Sequence, residues 1–599
     1  MKRVLDTTSK AAEVAALDRP VLSVEGLTVS VNGPRGLTPL VHDTSFALGG
    51  GETLAIAGES GSGKSITSLA IMGLLPPPAV QVTGGAIRLG GQDLTDLSDT
   101  QMRDIRGNRI AMIFQEPMTS LNPVLTIGTQ IAEAIRAHAP IGRRVARARA
   151  LEALRAVRIS QPEQRLDQFP HEMSGGMRQR VMIAMALALE PEVLIADEPT
   201  TALDVTVQRE VLDLLRDLQA EHGTGILLIT HDMGVVAEMA DRVIVMKDGM
   251  IEEVNEVGAL FSAPTRPYTQ QLLNAVPRMG DGSGKPEAPP HQDTPVLKLD
   301  NLAVRFDLHG GFLGRITHRV HAVEQVSFDI ARAETFALVG ESGCGKSTIA
   351  KAVVGLVPYS GGIAVKGQQV SGMDKTARKA LCRSVQMVFQ DPMAALDPRM
   401  KVGHLIAEPL VIHGIGTPTE RAATVRDLLD RVGLPASAAD RHPHQFSGGQ
   451  RQRICIARAL ALRPDLIIAD ESVSALDVSV QAQVLDLLDE LKRDLGLAYL
   501  FISHDMAVVE NVADRVGVMY LGQIVEMGSC RQVFGNPQHA YTKRLIEAVP
   551  VPDPAHIRTA GLRLTGDVPS AVYAPNQGPE RLHLTDIGGG HHVALARAM

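Results

Sequence analysis

The chain carries one ordered set of motifs twice, and this repeat constrains its fold more than any other feature. The pattern Gly-Glu-Ser-Gly-x-Gly-Lys-Ser occurs at residues 58–65 and again at 340–347. Four later landmarks each recur 273 residues further on: Ser174, Asp197, Asp204 and His231 become Ser447, Asp470, Asp477 and His504. A fixed offset over several landmarks indicates internal duplication. Because 599 residues also exceed what one hydrophobic core usually serves, the sequence predicts two similar domains.

Changes in composition along the chain suggest where these domains begin and end. Each repeat opens with alternating apolar and polar residues and closes with a Tyr-Thr…Ala-Val-Pro phrase, whereas residues 278–295 are rich in Gly, Pro and polar side chains. We therefore expect five segments: a flexible lead at 1–19, a first domain at 20–277, a linker at 278–295, a second domain at 296–550 and a tail at 551–599.

Composition argues against several classes of protein. The net charge is −8, aromatic residues make up 3% and tryptophan is absent. We therefore expect neither a basic surface for nucleic-acid phosphates nor an aromatic surface that stacks on nucleic-acid bases. The four cysteines are widely spaced, which disfavours a disulfide framework or zinc site and favours a reducing compartment. No apolar run reaches the roughly 18 residues of a spanning helix, so membrane association is expected only through partners.

Short apolar runs precede the motifs and predict the fold class. TLAIAG and TFALVG lead into the glycine loops, VLIADE and LIIADE end in paired carboxylates, and ILLITH and YLFISH end in a histidine. Helical periodicity follows each run. Strands alternating with helices predict an α/β fold with a mainly parallel sheet and with the motif residues at the carboxyl ends of its strands.

The two glycine loops predict phosphate binding. In the pattern G-x-x-x-x-G-K-S after a strand, glycines let backbone N–H groups and a helix N-terminus face phosphate oxygens. Lys64 and Lys346 are expected to reach the terminal phosphates of ATP, and Ser65 and Ser347 to hold Mg²⁺. The other loop residues assigned to ATP are Gly58, Ser60, Gly61 and Gly63, and Gly340, Ser342, Gly343 and Gly345.

The acidic pairs after the buried strands predict hydrolysis. Asp197 and Asp470 are expected to bind Mg²⁺, and the following Glu198 and Glu471 to polarise the attacking water. A solvated acidic turn is the alternative interpretation. The position of each pair between a glycine loop and a strand-end histidine favours the catalytic one.

The phrases MSGGMRQR at Met173 and FSGGQRQR at Phe446 resemble the signature of the ATP-binding-cassette ATPases, and the resemblance extends from Val21 to Pro550. It implies two tandem domains, each with a RecA-like core of mainly parallel sheet, an antiparallel β subdomain and a helical subdomain. It also implies that the signature residues contact the γ-phosphate held by the opposite module. Those residues are Ser174, Gly175, Gly176, Ser447, Gly448 and Gly449.

The same resemblance implies roles for the remaining landmarks. Gln115 and Gln390 would contact Mg²⁺ or water, His231 and His504 would hold the γ-phosphate, and Asp204 and Asp477 would line the module interface. Each ATP pocket would combine the glycine loop, glutamate and histidine of one half with the signature of the other. Because both halves keep the glutamate and the histidine, we expect two hydrolytically competent sites.

Four positions depart from the family pattern or carry an open alternative. Met177 stands where the second signature has Gln450, which leaves equal rates at the two sites in doubt. No aromatic residue for adenine stacking is evident before the first glycine loop, and either Phe306 or Phe312 could serve the second. Cys344 lies in the second loop beside a lysine, where it is either a reactive thiol with a lowered pKa or simply a small residue.

The segments that follow Gln115 and Gln390, the glutamines of the family's Q-loop, indicate a branch of the family. FQEPMTSLNP, FQDPMAALDP and the two Tyr-Thr…Ala-Val-Pro endings are similar to ATPases of dipeptide, oligopeptide, glutathione and nickel importers. The resemblance implies an energy-coupling subunit at the cytoplasmic face of the inner (plasma) membrane, with two integral-membrane permeases and a periplasmic or extracellular solute-binding protein. Small peptides or glutathione are the expected solutes.

The alternative is a soluble tandem cassette ATPase that acts on ribosomes or DNA. Such proteins carry a long charged linker or zinc-binding cysteines, and neither is present here. Many importer ATPases also carry a cysteine-bearing tail after a G-x-x-P-S phrase. Here no cysteine follows the phrase at 566–570, so no iron–sulfur site is expected there. The histidines near 588–592 form too short a stretch to predict a metal site.

Overall fold

The computed structural model describes residues 20–33, 36–115, 120–201, 203–280, 294–310, 315–474, 476–556 and 571–594. Its contacts divide the chain into two compact units. The first unit consists of Met1–Leu203, Val207–Val276 and Pro550–Gly566, and the second of Asp204–Thr206, Pro277–Val549 and Asp567–Met599.

The first unit contains two sheets. The strands in chain order are β1 Leu22–Gly33, β2 Gly36–Leu48, β3 Thr53–Ala57, β4 Val80–Leu89, β5 Gln92–Asp93, β6 Ile110–Ile113, β7 Val193–Asp197, β8 Gly225–Thr230, β9 Arg242–Lys247 and β10 Met250–Glu256. One sheet has the order β2-β1-β4-β5 and is antiparallel. The other has the order β10-β9-β3-β8-β7-β6 and is parallel except for its edge strand β10.

Ten α-helices are described along the first half of the chain. They are α1 Lys64–Ile71, α2 Asp99–Ile105, α3 Ile127–His138, α4 Arg143–Ala156, α5 Pro162–Arg165, α6 Gly175–Leu187, α7 Val205–His222, α8 Met233–Met239, α9 Val257–Ser262 and α10 Pro267–Asn274. A 3₁₀ turn at Pro170–Glu172 precedes α6.

The second unit repeats this plan with additional strands. Its strands are β11 Leu297–Gly310, β12 Arg315–Ile330, β13 Thr335–Val339, β14 Ser360–Val365, β15 Gln368–Gln369, β16 Val385–Val388, β17 Leu466–Asp470, β18 Ala498–Ile502, β19 Arg515–Tyr520, β20 Gln523–Ser529, β21 Val572–Tyr573, β22 Leu584–Asp586 and β23 His592–Ala594. The sheet orders are β15-β14-β11-β12-β21 and β16-β17-β18-β13-β19-β20-β23-β22.

Ten further α-helices are described along the second half. They are α11 Lys346–Val353, α12 Lys375–Ser384, α13 Pro392–Ala395, α14 Val402–His413, α15 Pro418–Arg431, α16 Gly448–Leu460, α17 Val478–Leu495, α18 Met506–Val512, α19 Cys530–Gly535 and α20 Ala540–Glu547. Two 3₁₀ turns, Ala436–Asp440 and Pro443–Gln445, precede α16.

Burial on both faces explains why the core strands are continuous apolar runs. Every residue of β3 is buried. Its Leu54 and Ile56 pack with the antiparallel sheet and α1, whereas Ala55 and Ala57 pack with helices α8 and α10 on the other face. Strands covered on both sides need apolar residues at every position and are typical of parallel sheets. The predicted α/β class with a mainly parallel core sheet is confirmed.

The C-terminal tail forms more structure than its weak pattern predicted. β21 pairs with β12, and β23 pairs with β20, so the tail adds strands to both sheets of the second unit. Beside β23, the buried His591 Nε2 lies 2.8 Å from Glu526 Oε1. Strands of two or three residues leave too short an alternation to recognise from sequence. The histidine-containing stretch therefore has a structural partner in the second core sheet.

Several expectations concern residues outside the described ranges. The lead at 1–19, most of the linker, Phe312 and the phrase at 566–570 are among them. Within the described ranges, no helix is long and apolar enough to cross a membrane.

Candidate functional site

The first glycine loop joins β3 to α1 and has a backbone that only glycine adopts easily. Gly58 has a φ of 148°, and a Cβ there would come within 2.3 Å of the Met246 carbonyl oxygen. Lys64 is 6% exposed, and its Nζ donates to the carbonyl oxygens of Gly58 and Glu59 at 2.6 and 2.8 Å. The lysine is thus held inside the loop, beside the N-terminus of α1. Ser60 and Gly61 are exposed at the outer side of the loop, and Gly63 immediately precedes α1.

The second glycine loop has the same geometry between β13 and α11. Gly340 has a φ of 144°, and a Cβ there would approach the Met519 carbonyl oxygen to 2.3 Å. Lys346 Nζ donates to the carbonyls of Gly340 and Glu341 at 2.7 and 3.0 Å. As in the first loop, the residues at the outer side, Ser342 and Gly343, are exposed, and Gly345 precedes the helix. Both loops therefore have the same backbone conformation and the same buried lysine at a helix N-terminus, an arrangement that suits an anion.

In each unit the structure brings together the serine and aspartate expected to bind Mg²⁺. Ser65 Oγ donates to Asp197 Oδ1 at 3.1 Å, and Ser347 Oγ donates to Asp470 Oδ1 at 2.7 Å. Burial raises the pKa of Asp197 to about 6, and the hydrogen bond from Ser65 partly offsets this rise. Burial also raises the pKa of Asp470. A hydroxyl and a carboxylate at this spacing fit the all-oxygen ligand set that Mg²⁺ prefers.

Glu198 lies at the centre of a hydrogen-bond network in the first unit. It follows β7 with a φ of 48°. Its Oε2 accepts from Gln115 Nε2 at 2.7 Å and from Thr201 Oγ1 at 2.9 Å, and its Oε1 lies 3.1 Å from His231 Nδ1. The ends of three neighbouring strands, β6, β7 and β8, supply the glutamine, the glutamate and the histidine. Parallel strand ends thus assemble contacting residues that are 83 and 33 positions apart in sequence.

Glu471 has a similar but looser set of partners in the second unit. It also has a left-handed backbone, with a φ of 47°. Gln390 Nε2 donates to Glu471 Oε2 at 2.7 Å, while His504 Nδ1 lies 3.7 Å from Glu471 Oε1. Ser474 replaces Thr201, and its hydroxyl donates to the Glu471 backbone carbonyl at 2.9 Å instead of to the carboxylate. The two glutamates are therefore held by different hydroxyl contacts.

Thr201 was not among the residues singled out from the sequence. The available signal was a hydroxyl residue three positions after the glutamate in both halves, Thr201 and Ser474. Sequence alone did not reveal which of these hydroxyls reaches the carboxylate, because that depends on the side-chain rotamer within the turn.

The glutamate–histidine contact changes the pKa of both groups in the first unit. Burial acts to raise the pKa of Glu198, but the hydrogen bond and charge of His231 outweigh it and lower the pKa below its ordinary value of 4.5. Burial acts to lower the pKa of His231, but the Glu198 carboxylate outweighs it and raises the pKa above 6.5. A protonated histidine beside an ionised glutamate is favoured.

The signature motifs start helices α6 and α16, and the two starts differ. Ser174 Oγ accepts from the Met177 N–H at 3.3 Å. Ser447 Oγ accepts from the Gln450 N–H at 3.4 Å, and Gln450 Oε1 in turn accepts from the Ser447 N–H at 3.1 Å. The second helix therefore begins with a full capping box, which methionine cannot form in the first. The departure noted at Met177 has this structural consequence.

Glycine is required at the third signature position in both helices. A Cβ on Gly176 would come within 2.5 Å of Val207 Cγ1, and one on Gly449 within 2.1 Å of Val480 Cγ1. Gly175 and Gly448, in contrast, have no atom within 4 Å of a Cβ position. The first glycine of each pair therefore leaves the helix N-terminus open, and the second allows close packing on the helix that follows.

Asp204 and Asp477 lie at the N-termini of the next helices, α7 and α17. Asp204 is 6% exposed, and its Oδ1 accepts from Thr206 Oγ1 at 2.7 Å. Asp477 caps α17 through its backbone, with the Gln481 N–H donating to its carbonyl oxygen at 2.8 Å. The roles of these two aspartates at a module interface stay predictions.

The hypothesis of a lowered pKa at Cys344 was wrong. Its thiol is buried, and burial raises the pKa above 9.0 in spite of the nearby Lys346, whose Nζ lies 3.8 Å from the sulfur. A neutral, buried thiol is a poor nucleophile. The first loop has Ser62 at this position, which supports the interpretation of Cys344 as a small residue that fits the loop. Of the two candidates for adenine stacking, Phe306 lies on β11 and is 38% exposed.

Comparison with known proteins gives two family matches. The model described as "ABC transporter" matches residues 41–201 and 323–474. The model described as "Oligopeptide/dipeptide transporter, C-terminal region" matches residues 253–301 and 525–578.

Curated relatives match along nearly the whole chain. The glutathione import ATP-binding protein GsiA of Salmonella paratyphi A is 51% identical over 96% of this chain and 97% of its own length. The protein of the same name from Escherichia coli O157:H7 is 51% identical over 96% of both chains.

Solved structures match single halves of the chain. The dimeric post-hydrolysis structure of the ATP-binding cassette MJ0796 bound to ADP and Pi is 29% identical, covers 39% of this chain and 98% of its own, and has a TM-score of 0.36. The structure of cbiO1 from Clostridium perfringens is 27% identical and covers 41% and 92% of the two chains, also with a TM-score of 0.36.

Proposed function

This chain belongs to the ABC transporter family of ATP-binding proteins, and on that premise we propose that it powers the import of glutathione or short peptides through two Mg²⁺-dependent ATP sites. The family membership makes it an ATPase subunit of a transporter. The choice of solute is supported by its 51% identity to glutathione import proteins and by the match to the oligopeptide and dipeptide transporter region.

One observation carries the proposal of two working sites. In each unit the glycine-loop lysine, the serine–aspartate pair, the glutamine, the glutamate and the histidine converge at the carboxyl edge of the core sheet. The Glu198 and Glu471 carboxylates are both present, and both accept a hydrogen bond from the Q-loop glutamine at 2.7 Å. A half that had lost hydrolysis would be expected to lack one of these groups. We infer that both sites hydrolyse ATP.

The mechanism assigns each group a separate task. The loop N–H groups and Lys64 or Lys346 bind the β- and γ-phosphates. Ser65 with Asp197, and Ser347 with Asp470, would hold Mg²⁺, which neutralises charge on the phosphates when bound. Glu198 and Glu471 orient and polarise the attacking water. His231 and His504, each beside its glutamate, hold the γ-phosphate. The signature residues would complete each pocket from the other module.

Coupling to transport requires partners. We infer two integral-membrane permeases, as for other importer ATPases, and a solute-binding protein outside the membrane. In this arrangement the chain lies at the cytoplasmic face of the inner (plasma) membrane. ATP binding closes the two modules and changes the access of the permeases, and hydrolysis with product release resets them.

Affinity purification of the tagged chain from detergent-solubilised membranes tests this proposal. Two polytopic membrane proteins in equal amounts are the expected companions, and cells that lack the chain should lose uptake of labelled glutathione or of labelled dipeptide. The solute whose uptake is lost identifies the substrate. Recovery only with ribosomes or DNA from the soluble extract would instead support the soluble tandem ATPase.

A further inference from the structure

The Tyr-Thr motif near the end of each unit contacts the glycine loop. Tyr268 on α10 and Tyr541 on α20 are 8% and 6% exposed. The Tyr268 hydroxyl accepts from the Glu59 N–H at 3.3 Å, and the Tyr541 hydroxyl accepts from the Glu341 N–H at 3.0 Å. These tyrosines lie about 200 residues after the loops that they contact. The motif that marks the end of each unit therefore reaches back to its phosphate-binding loop.

The contacted N–H groups belong to peptide units that the loop lysines also hold. In the first unit, the carbonyl of the Gly58–Glu59 peptide accepts from Lys64, while its N–H donates to Tyr268. In the second unit, the Gly340–Glu341 peptide is held in the same way by Lys346 and Tyr541. Because a peptide unit is planar and rigid, fixing both its ends fixes its orientation.

A bound nucleotide shares the lysine ammonium group with the loop carbonyls, whereas the tyrosine hydroxyl serves the loop alone. A lysine that reaches the terminal phosphates divides its three N–H donors between the phosphates and the loop. The tyrosine then remains as the anchor of the first peptide in the loop. Holding the loop in its binding shape before the nucleotide arrives reduces the ordering cost of binding.

Buried carboxylates fix the start of each tyrosine helix. Glu253 accepts from the N–H groups of Thr265 and Arg266 at 2.9 and 3.2 Å, just before α10. Glu526 accepts from the N–H groups of Gln538 and His539 at 2.8 and 2.9 Å, just before α20. These hydrogen bonds hold the N-terminus of each tyrosine helix in a fixed position.

The two anchors differ in the residues around them. Tyr541 packs against Tyr520, with ring centroids 4.4 Å apart, and Arg544 Nη2 donates to the Glu341 carboxylate at 3.0 Å. At the corresponding positions the first unit has Lys247, whose Nζ lies 4.5 Å from the Tyr268 ring centroid, and Gln271. The hydroxyl contact is shorter at the second loop, and the residue types around the two tyrosines differ.

We propose that Tyr268 and Tyr541 are positioning residues that set the shape of the two glycine loops and hence the affinity for nucleotide. This inference rests on the proposed function in one respect, namely that the two loops bind ATP.

Tyrosine-to-phenylalanine variants test it, because they remove only the hydroxyl. Tyr268→Phe is made in a Lys346→Ala chain and Tyr541→Phe in a Lys64→Ala chain. Because the loop without its lysine should bind nucleotide poorly, each chain measures binding at the other loop. Binding of the Mg²⁺ complex of ribose-labelled ADP is measured well below the unfolding temperature. Loss of one hydrogen bond predicts a Kd about three- to tenfold higher. In the otherwise unsubstituted chain, both phenylalanine changes together should raise the KM for ATP by a similar factor with little change in kcat.

Tyr499→Phe is the matched control, because the Tyr499 hydroxyl is buried and has no hydrogen-bond partner among the described residues. It should leave Kd unchanged. Arg544→Gln, which copies Gln271, should weaken binding at the second loop by up to about threefold. Unchanged Kd in both anchor variants, even with a lower unfolding temperature, overturns the inference. Failure of the unsubstituted chain to bind labelled ADP would instead overturn the proposed function itself.

Discussion

Glu198 and His231 are in direct contact, with 3.1 Å between Oε1 and Nδ1, whereas the corresponding atoms of Glu471 and His504 lie 3.7 Å apart. The same residue types at the same sequence spacing therefore form a tighter pair in the first unit. Thr201 adds a hydrogen bond to the first carboxylate that Ser474 does not give to the second. The two candidate sites are alike in composition and different in detail.

Replacing both glutamates should stop turnover without preventing ATP binding. In Glu198→Gln/Glu471→Gln, the amide cannot polarise water, so kcat is expected to fall at least about 100-fold, as for loss of a general base. Phosphate-release assays measure the rate, and labelled ATP measures binding. Glu221→Gln, at an exposed position late in α7, is the control and should keep the original rate. Normal turnover in the double variant would contradict the site assignment.

The Thr201 hydroxyl should matter more than that of Ser474. With the second site silenced by Glu471→Gln, Thr201→Val removes a 2.9 Å hydrogen bond to Glu198 and is expected to lower the remaining ATPase rate about three- to tenfold. With Glu198→Gln instead, Ser474→Ala leaves the Glu471 carboxylate contacts in place and should change the rate less than twofold. Equal losses in the two variants would show that the hydroxyl contact plays no special part at the first site.

The stability of the nucleotide-free protein should depend on pH through His231 and Glu198. The raised pKa of His231 gives a contribution that is fully present below pH 6.5 and is lost as pH rises through the raised value. The lowered pKa of Glu198 gives a contribution that is present above pH 4.5 and is lost as pH falls through the lowered value. The excess stability of the unsubstituted chain over Glu198→Gln should therefore be largest between pH 4.5 and 6.5.

Thermal unfolding at about pH 6 and about pH 9 measures this excess. The difference in unfolding temperature should shrink towards the higher pH. Glu221→Gln should show a difference that does not vary with pH. A difference for Glu198→Gln that grows with pH would show that His231 is neutral in the folded protein.

The capping difference between α6 and α16 predicts opposite effects of exchanging two side chains. Met177→Gln supplies the missing half of a capping box and should stabilise the first unit by about 0.5–1 kcal/mol. Gln450→Met removes it from the second and should destabilise that unit by a similar amount. Unfolding in denaturant, followed by limited proteolysis to distinguish the units, measures both. Destabilisation by Met177→Gln would mean that Met177 packing outweighs the cap.

The tail contact predicts a contribution of His591 to the stability of the second unit. Glu526 is fully buried, so His591→Ala removes a hydrogen-bond partner from a buried side chain and should cost about 1–3 kcal/mol. His592 is the matched control, because its ring contacts only the neighbouring Gly590 carbonyl among the described hydrogen bonds. His592→Ala should have little effect on the unfolding temperature. If the two variants unfold alike, the tail contributes nothing through this pair.

Much of the fold could be predicted because strand burial and local motifs leave strong patterns. Residues 54–57, before the first glycine loop, and residues 193–196, before the first acidic pair, are apolar at every position, which indicated core strands. Because each motif follows directly after its strand, the motif residues were expected at one edge of the sheet. The tail was predicted poorly. Its strands are only two or three residues long, and the pairing of His591 with Glu526 joins positions 65 residues apart.

Two similar α/β units and the residues of their glycine loops could be read from the amino-acid order, because periodicity, glycine spacing and duplication are local properties of the chain. Three-dimensional packing was needed to show which hydroxyl reaches Glu198, how burial moves the pKa of Cys344, and that Tyr268 and Tyr541 contact the loops some 200 residues before them. Those features depend on distances across the packed sheet and on the loss of water around buried groups. No local pattern in the sequence records them.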